Sequence, residues 1–231
     1  ESVEKRLFSL IANSFEEEIT NALILDSIVD RLEKGFLQPS RFAPVFTTSG
    51  LTADLAIELL KPLKGSIYDP ACGTAHFLRS LWQKSNNKEI DLFGQEINEQ
   101  AWRFGVLCLV LNEADFDLKL ANSLENDQLW NLEADRVFVE PPLGVRPRHI
   151  HMQKTAANVV GQFGRFVSGT WMSDWIDHII DHTSDKGRVV MLIEPSFLWD
   201  EQDMTTRMNL VKTGILSSVI KLPTGAYTNN G

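Results

Sequence analysis

The sequence predicts an α/β fold: a mostly parallel sheet with helices on both faces, preceded by a short helical appendage. Two patterns point to it. Short runs that are apolar on both faces, such as Arg188–Ile193, alternate with stretches whose apolar residues recur every three or four positions. Runs of the first kind need cover on both sides, and helices of the second kind supply it. Length sets the bound: 231 residues, 43% of them hydrophobic, close one good-sized core but not two.

The elements follow in order. Residues 1–45 read as a helical segment and linker, with Leu7, Leu10 and Ile11 and later Leu23, Ile28 and Leu32 at helical spacing. Gly35 ends that stretch, and Pro39 and Pro44 mark a connection. Residues 46–231 form the main domain. Ser66–Tyr68 is a strand leading through a glycine turn to a helix over Phe77–Lys84. A strand at Ile90–Gly94 precedes a helix over Glu99–Asn112, and a third strand is brief, Leu118–Ala121. Arg136–Val139 is a fourth, ending at Pro141-Pro142. A helix over Asp174–Thr183, a strand at Arg188–Ile193 and a sixth strand at Leu216–Leu222 complete the reading.

Charge and composition exclude several classes. No apolar run is long enough to cross a bilayer, and the first residues are not those of a signal peptide. Cys72 and Cys108 give neither a disulfide framework nor metal-ligand spacing, so a reducing, cytoplasmic setting is expected. The net charge of −9 and pI near 5.1 repel DNA as a whole, so a DNA-binding role requires locally concentrated positive charge or a partner. One segment has that local character. Between Pro141 and Ser173 there is no Asp or Glu, while Arg146, Arg148, Lys154 and Arg165 occur there with four glycines. Two readings stand: a surface for an anionic polymer, or an ordinary long surface loop.

Three strand ends carry groups suited to a nucleotide. Asp69-Pro70-Ala71-Cys72-Gly73-Thr74 follows the first strand and opens a helix, where small residues let a ligand approach the backbone. Glu96 closes the second strand and can accept hydrogen bonds from two ribose hydroxyls. Asn122 and Ser123 close the third, where an amide can read an adenine edge. Each alone is equally well a cap or a turn. Together they are not.

Asp-Pro-Ala-Cys-Gly-Thr followed by Phe77-Leu78 resembles the cofactor motif of adenine-N6 DNA methyltransferases, especially the modification subunits of type I restriction–modification systems. The likeness extends in order through Phe46-Thr47-Thr48, Gly94-Gln95-Glu96, Asn112, Ser173-Asp174-Trp175, Lys186-Gly187-Arg188 and Leu222-Pro223-Thr224-Gly225. The resemblance implies a Rossmann-like methyltransferase fold and S-adenosylmethionine as cofactor. Thr47 and Thr48 would meet its methionine part, Asp69, Ala71 and Gly73 would line it, Glu96 would hold the ribose, and Asn122 with Ser123 would flank the adenine. It also implies DNA as a partner, a separate specificity subunit, a restriction subunit, and a further strand beyond Gly231.

The family places Asn or Asp, two prolines and an aromatic residue after its fourth strand. An adenine amine is a poor nucleophile because its lone pair is delocalised into the ring. Hydrogen-bond acceptors at the amine restore electron density, and the aromatic stacks on the flipped base. Here the segment reads Glu140-Pro141-Pro142-Leu143, with a longer acid and no ring. Ala75 and His76 stand where the family has glycines, with the Ala75 Cβ expected near the cofactor's methionine tail; Thr48 or Ser49 stands where it has proline. Two functions follow: a working N6-adenine methyltransferase in which Glu140 replaces the amide and Phe163 or Phe166 supplies the ring, or a binding module that keeps the fold and has lost the chemistry. Methylation of RNA or of a protein glutamine fits the landmarks less well. His178 and His182 lie one helical turn apart, but Asp174, Asp177 and Asp181 suggest a solvated face, and no metal site is expected.

Overall fold

The first, second and fourth strands of the sheet are each followed by a helix that returns along the sheet, so that the next strand runs parallel. The computed structural model describes residues 48–85, 89–142 and 171–223. The N-terminal helical segment, Thr47, Leu143 and the four basic residues Arg146, Arg148, Lys154 and Arg165 lie outside them.

The elements are α1 (Gly50–Leu60), β1 (Gly65–Asp69), α2 (His76–Lys84), β2 (Ile90–Glu96), α3 (Glu99–Leu111), β3 (Phe116–Leu120), β4 (Ala134–Val139), α4 (Trp171–Asp181), β5 (Thr183–Met191) and α5 (Met204–Lys212). All strand pairs are parallel, in the order β3-β2-β1-β4-β5. The chain therefore winds outward from β1 to β3, then returns to the other side of β1 for β4. That reversal opens a crevice at the carboxyl ends of β1 and β4, the place where open α/β sheets bind ligands.

Side-chain alternation sorts the core into two layers. Ile67, Leu92 and Phe138 face α1, α2 and α3, where Phe138 stacks on Phe77 with ring centroids 4.1 Å apart. Tyr68, Val137 and Val139 face the other way, against Trp175 and Ile179 of α4. Both sheet faces thus carry apolar side chains packed under helices.

Three differences from the sequence reading are informative. Helix α1 was not anticipated, although its buried residues Ala53, Ala56, Ile57 and Leu60 have helical spacing and Ser49 caps it by accepting from the Thr52 N–H at 3.2 Å. Its carboxyl end is held by two arginines on adjacent strands. Arg136 Nε donates to the Leu60 carbonyl at 2.7 Å, and Arg188 Nη1 to that of Lys61 at 2.8 Å. Those cations meet the negative end of the helix. Helix α5 was also missed; it docks through buried Ser173, Asp203 and Thr206, with Ser173 Oγ 2.8 Å from Thr206 Oγ1.

The third difference is a correction. Residues 216–222 are not a strand; they run irregularly, with Leu216, Val219 and Ile220 exposed. A strand needs a hydrogen-bonded neighbour, and among the described residues nothing pairs with this stretch. Among the described residues the sheet has five strands rather than six.

Candidate functional site

The turn after β1 is tied to the ends of β1 and β2 and to the loop after β3. Asp69 Oδ1 accepts from the Ala71 N–H at 3.1 Å, closing the turn on itself. The Cys72 N–H donates to the Gln95 carbonyl of β2 at 3.0 Å, and the Gly73 N–H to Glu96 Oε2 at 2.8 Å. The Ser123 hydroxyl, from the loop after β3, donates to the Pro70 carbonyl. Gly73 takes a positive φ of 54°, which a glycine adopts without strain. Asp69, Ala71, Gly73, Glu96, Asn122 and Ser123 are thus brought together at one end of the sheet. Glu140, Pro141 and Pro142 follow β4 on the far side of the same crevice. Thr48 precedes the Ser49 cap at the start of α1.

Ser123 is placed near the turn, but its hydroxyl is engaged with Pro70, so it braces the site. Asn122 Oδ1 accepts from the Leu124 N–H at 3.0 Å, which fixes the amide at the loop's start. Glu96 accepts through both oxygens, Oε1 taking the Asn98 N–H at 2.6 Å. The carboxylate keeps acceptor capacity for a ligand beside these backbone N–H groups.

The crevice crowds carboxyl groups, and each feels the others. Burial pushes the Asp69 carboxyl well above the usual carboxylate range; the Ala71 N–H opposes this, and the nearby Glu140 and Glu96 carboxylates raise it further. Burial also raises Glu96, against the hydrogen bonds it accepts from the Asn98, Gly73 and Ile97 backbone. Cys72 is pushed up by burial and then by Asp69 and Glu96, so its thiol stays protonated and packs rather than reacts. A site that crowds three carboxylates favours a cationic ligand.

The departure at Ala75 has a structural answer. Its φ of 58° is left-handed, and its side chain is fully buried. The Cβ does not crowd the crevice: it packs on α3, where a Cβ added to Gly105 would lie 3.1 Å from it. His76 Nδ1 lies 3.3 Å from Arg79 Nη2, a hydrogen bond along the first turn of α2.

Residues 40–231 match the model of the N-6 DNA Methylase family. The chain belongs to that family. Among curated members it is 20% identical over 196 residues to the type I restriction enzyme HindI methylase subunit of Haemophilus influenzae, covering 82% of this chain and 44% of that protein. It is 27% identical over 152 residues to the MjaIX methylase subunit of Methanocaldococcus jannaschii, covering 62% and 27%. The chain spans less than half the length of these relatives. In fold it is similar to a type I restriction-modification system methyltransferase subunit from Streptococcus thermophilus, with a TM-score of 0.68 at 17% identity over 85% of this chain and 44% of that one. It is equally similar, at TM-score 0.68 and 17% identity, to a class I S-adenosylmethionine-dependent methyltransferase described from Listeria monocytogenes, over 94% and 68% of the two chains.

Family membership and the Rossmann-like fold agree with the sequence reading. Other participants escaped it. Gln95 is fully buried and binds Tyr68, Asp127 and the Gln128 N–H. Ile97, directly after Glu96, is 66% exposed. A polar residue inside an apolar strand, and an apolar one just past its end, were the available signals. Among the described residues, no helix is long and apolar enough to cross a membrane.

Proposed function

We propose that this chain is the catalytic part of an S-adenosylmethionine-dependent N6-adenine DNA methyltransferase, a modification subunit that works in the cytoplasm with a separate specificity subunit. The observation that carries the reading is the junction of the Asp69–Gly73 turn with Glu96 at the reversal point of the sheet. The residues fit the cofactor. Glu96 keeps acceptor capacity for the ribose, exposed Ile97 offers an apolar face to a flat base, and Asn122 lies at the adenine end. The crowded carboxylates suit the positive charge of a sulfonium and an α-ammonium group.

When bound, S-adenosylmethionine supplies an electrophilic methyl group. The chain's own residues prepare the nucleophile. Glu140 and the Pro141 carbonyl accept hydrogen bonds from the adenine amine, keeping electron density on nitrogen, and Glu140 receives the proton that nitrogen sheds as its new bond to carbon forms. Burying Glu140 at the end of β4 keeps water from competing for it. The basic segment with Arg146, Arg148, Lys154 and Arg165 supplies phosphate contacts, and the specificity subunit supplies the sequence reading that an acidic chain cannot.

Methyl transfer to adenine in duplex DNA, measured with labelled cofactor on the chain assembled with its specificity subunit, tests this. The expected result is labelled N6-methyladenine with wild type and a loss of about 100-fold or more with Glu140→Ala. Wild type that binds S-adenosylhomocysteine yet transfers no methyl would assign the chain to the binding-module reading instead.

A further inference from the structure

Behind the Asp69–Glu96 corner, on the α4 side of the sheet, lies a second cluster. His178 sits on α4, and His182 follows one turn later, just past the helix end, so both imidazoles share a face with centroids 4.2 Å apart. This face is turned inward against Tyr68 and Trp175, not to solvent as the neighbouring aspartates suggested. The loop after β3 brings Asp127 to it, with Oδ2 2.9 Å from His182 Nε2. One ligand atom from each of Asp127, His178 and His182 lies within 4.8 Å of the others.

Hydrogen bonding assigns the lone pairs. His182 Nδ1 lies 2.8 Å from the His178 carbonyl, which can only accept, so Nδ1 carries a proton. Asp127 Oδ1 accepts from the Gln95 amide and the Leu129 N–H, each at 2.9 Å. That turns His182 Nε2 and Asp127 Oδ2 toward each other across 2.9 Å, an ion-pair contact bent away from the straight line of a hydrogen bond. Two donor atoms this close need an electrophile between them. A proton serves best on the line joining them, whereas a cation serves off it. Gln95 also donates to the Tyr68 hydroxyl at 2.7 Å, which lies 3.0 Å from His178 Nε2.

We propose that Asp127, His178 and His182 form a site for one Zn²⁺ ion, with a water beside the Tyr68 hydroxyl as fourth ligand. Two imidazoles and one carboxylate suit this ion, and the outer partners that orient such ligands are already present: the His178 carbonyl on Nδ1, and Gln95 with Leu129 on the carboxylate. The ion joins α4 and the Asn122–Leu129 loop to β1 and β2 one residue behind Asp69 and Glu96, so its role is to hold the crevice in shape. The site stands whether or not the crevice binds S-adenosylmethionine.

Untagged chain stripped with chelator and titrated with Co²⁺, then Zn²⁺, tests this. One equivalent of Co²⁺ is expected to give the visible absorption of a four-coordinate site, displaced by Zn²⁺, with a rise in Tm. His178→Gln and Asp127→Asn, checked for native circular dichroism, are each expected to weaken binding about 100-fold or more. Absence of stoichiometric binding, or unchanged affinity in both variants, overturns the proposal. If either variant fails to fold, X-ray absorption of the Zn²⁺-loaded wild type decides: two imidazoles with one carboxylate support the site, and any other set overturns it.

Discussion

Replacing Glu96 with glutamine separates bracing from ligand contact at the centre of the site. The carboxylate accepts the Gly73 N–H at 2.8 Å through one oxygen and the Asn98 N–H at 2.6 Å through the other. A carboxamide has a single acceptor oxygen, so whichever way it turns, one backbone N–H faces an NH2 group. The change removes one charge-assisted hydrogen bond, worth about 1.5–3 kcal/mol. Burial already raises the Glu96 pKa, so removing the charge returns part of that, and the net loss of stability is about 1–2 kcal/mol. For a chain of this size the Tm falls by roughly 2–8 °C. Binding responds separately. Two ribose hydroxyls lose a charged acceptor, worth about 1.5–3 kcal/mol, which is a rise in Kd of roughly 10- to 100-fold. Calorimetry with S-adenosylhomocysteine and with adenosine measures this, and both share the ribose, so both are expected to weaken by the same factor. A fall in Tm with unchanged Kd for either ligand would refute the ribose assignment and leave Glu96 as a brace alone.

Two further outcomes are expected. Because burial raises both Asp69 and Glu96, they are neutralised at a higher pH than ordinary carboxylates as the pH falls, and affinity for cationic S-adenosylmethionine should fall more on acidification than affinity for S-adenosylhomocysteine, which lacks the sulfonium; a ratio of the two Kd values that stays constant with pH would be contrary. Gly105→Ala places a Cβ 3.1 Å from that of Ala75 and 3.2 Å from the Thr74 backbone, at a cost of about 1–3 kcal/mol, and Ala75→Gly in the same chain should recover most of it, so strictly additive effects in thermal unfolding would count against the contact.

Much of the fold was legible because short apolar runs and period-3.6 patterns separate cleanly in β1, β2, α2 and α3. The sixth strand was misread for a physical reason: an apolar run specifies burial, not a partner, and residues 216–222 have no hydrogen-bonding neighbour among those described. Helix α1 was overlooked because Leu51, Leu55 and Leu59 blur its stripe, although Ser49 marks its start. In the site, the turn and Glu96 were visible through their spacing, since strand ends in a parallel sheet converge whatever their sequence. Side-chain direction was not. The acidic residues of α4 hid that His178 and His182 face the opposite way, into the sheet, because composition over one helix does not say which stripe is turned inward.

The landmark residues divide by task once their partners are known, and the division explains which departures the fold tolerates. Gln95, Ser123, Ser173 and Arg188 direct their polar atoms at the chain's own backbone or buried side chains, so each fixes where an element sits. Loss of Gln95, Ser123 or Ser173 would leave buried donors or acceptors without partners at about 1–3 kcal/mol apiece, whereas the Arg188 contact is exposed. Ala75 belongs with them: a methyl group in a left-handed turn is accommodated because Gly105 on α3 leaves room for it, so the pair solves one packing problem from two positions. Glu140 differs in where its charge acts. It follows β4, and its carboxylate acts on Asp69, so a change there alters the charge at the crevice. Alteration at a brace shows first in stability, alteration at Glu140 first in turnover, and measuring both on the same variants therefore tells a retained methyltransferase from a retained scaffold.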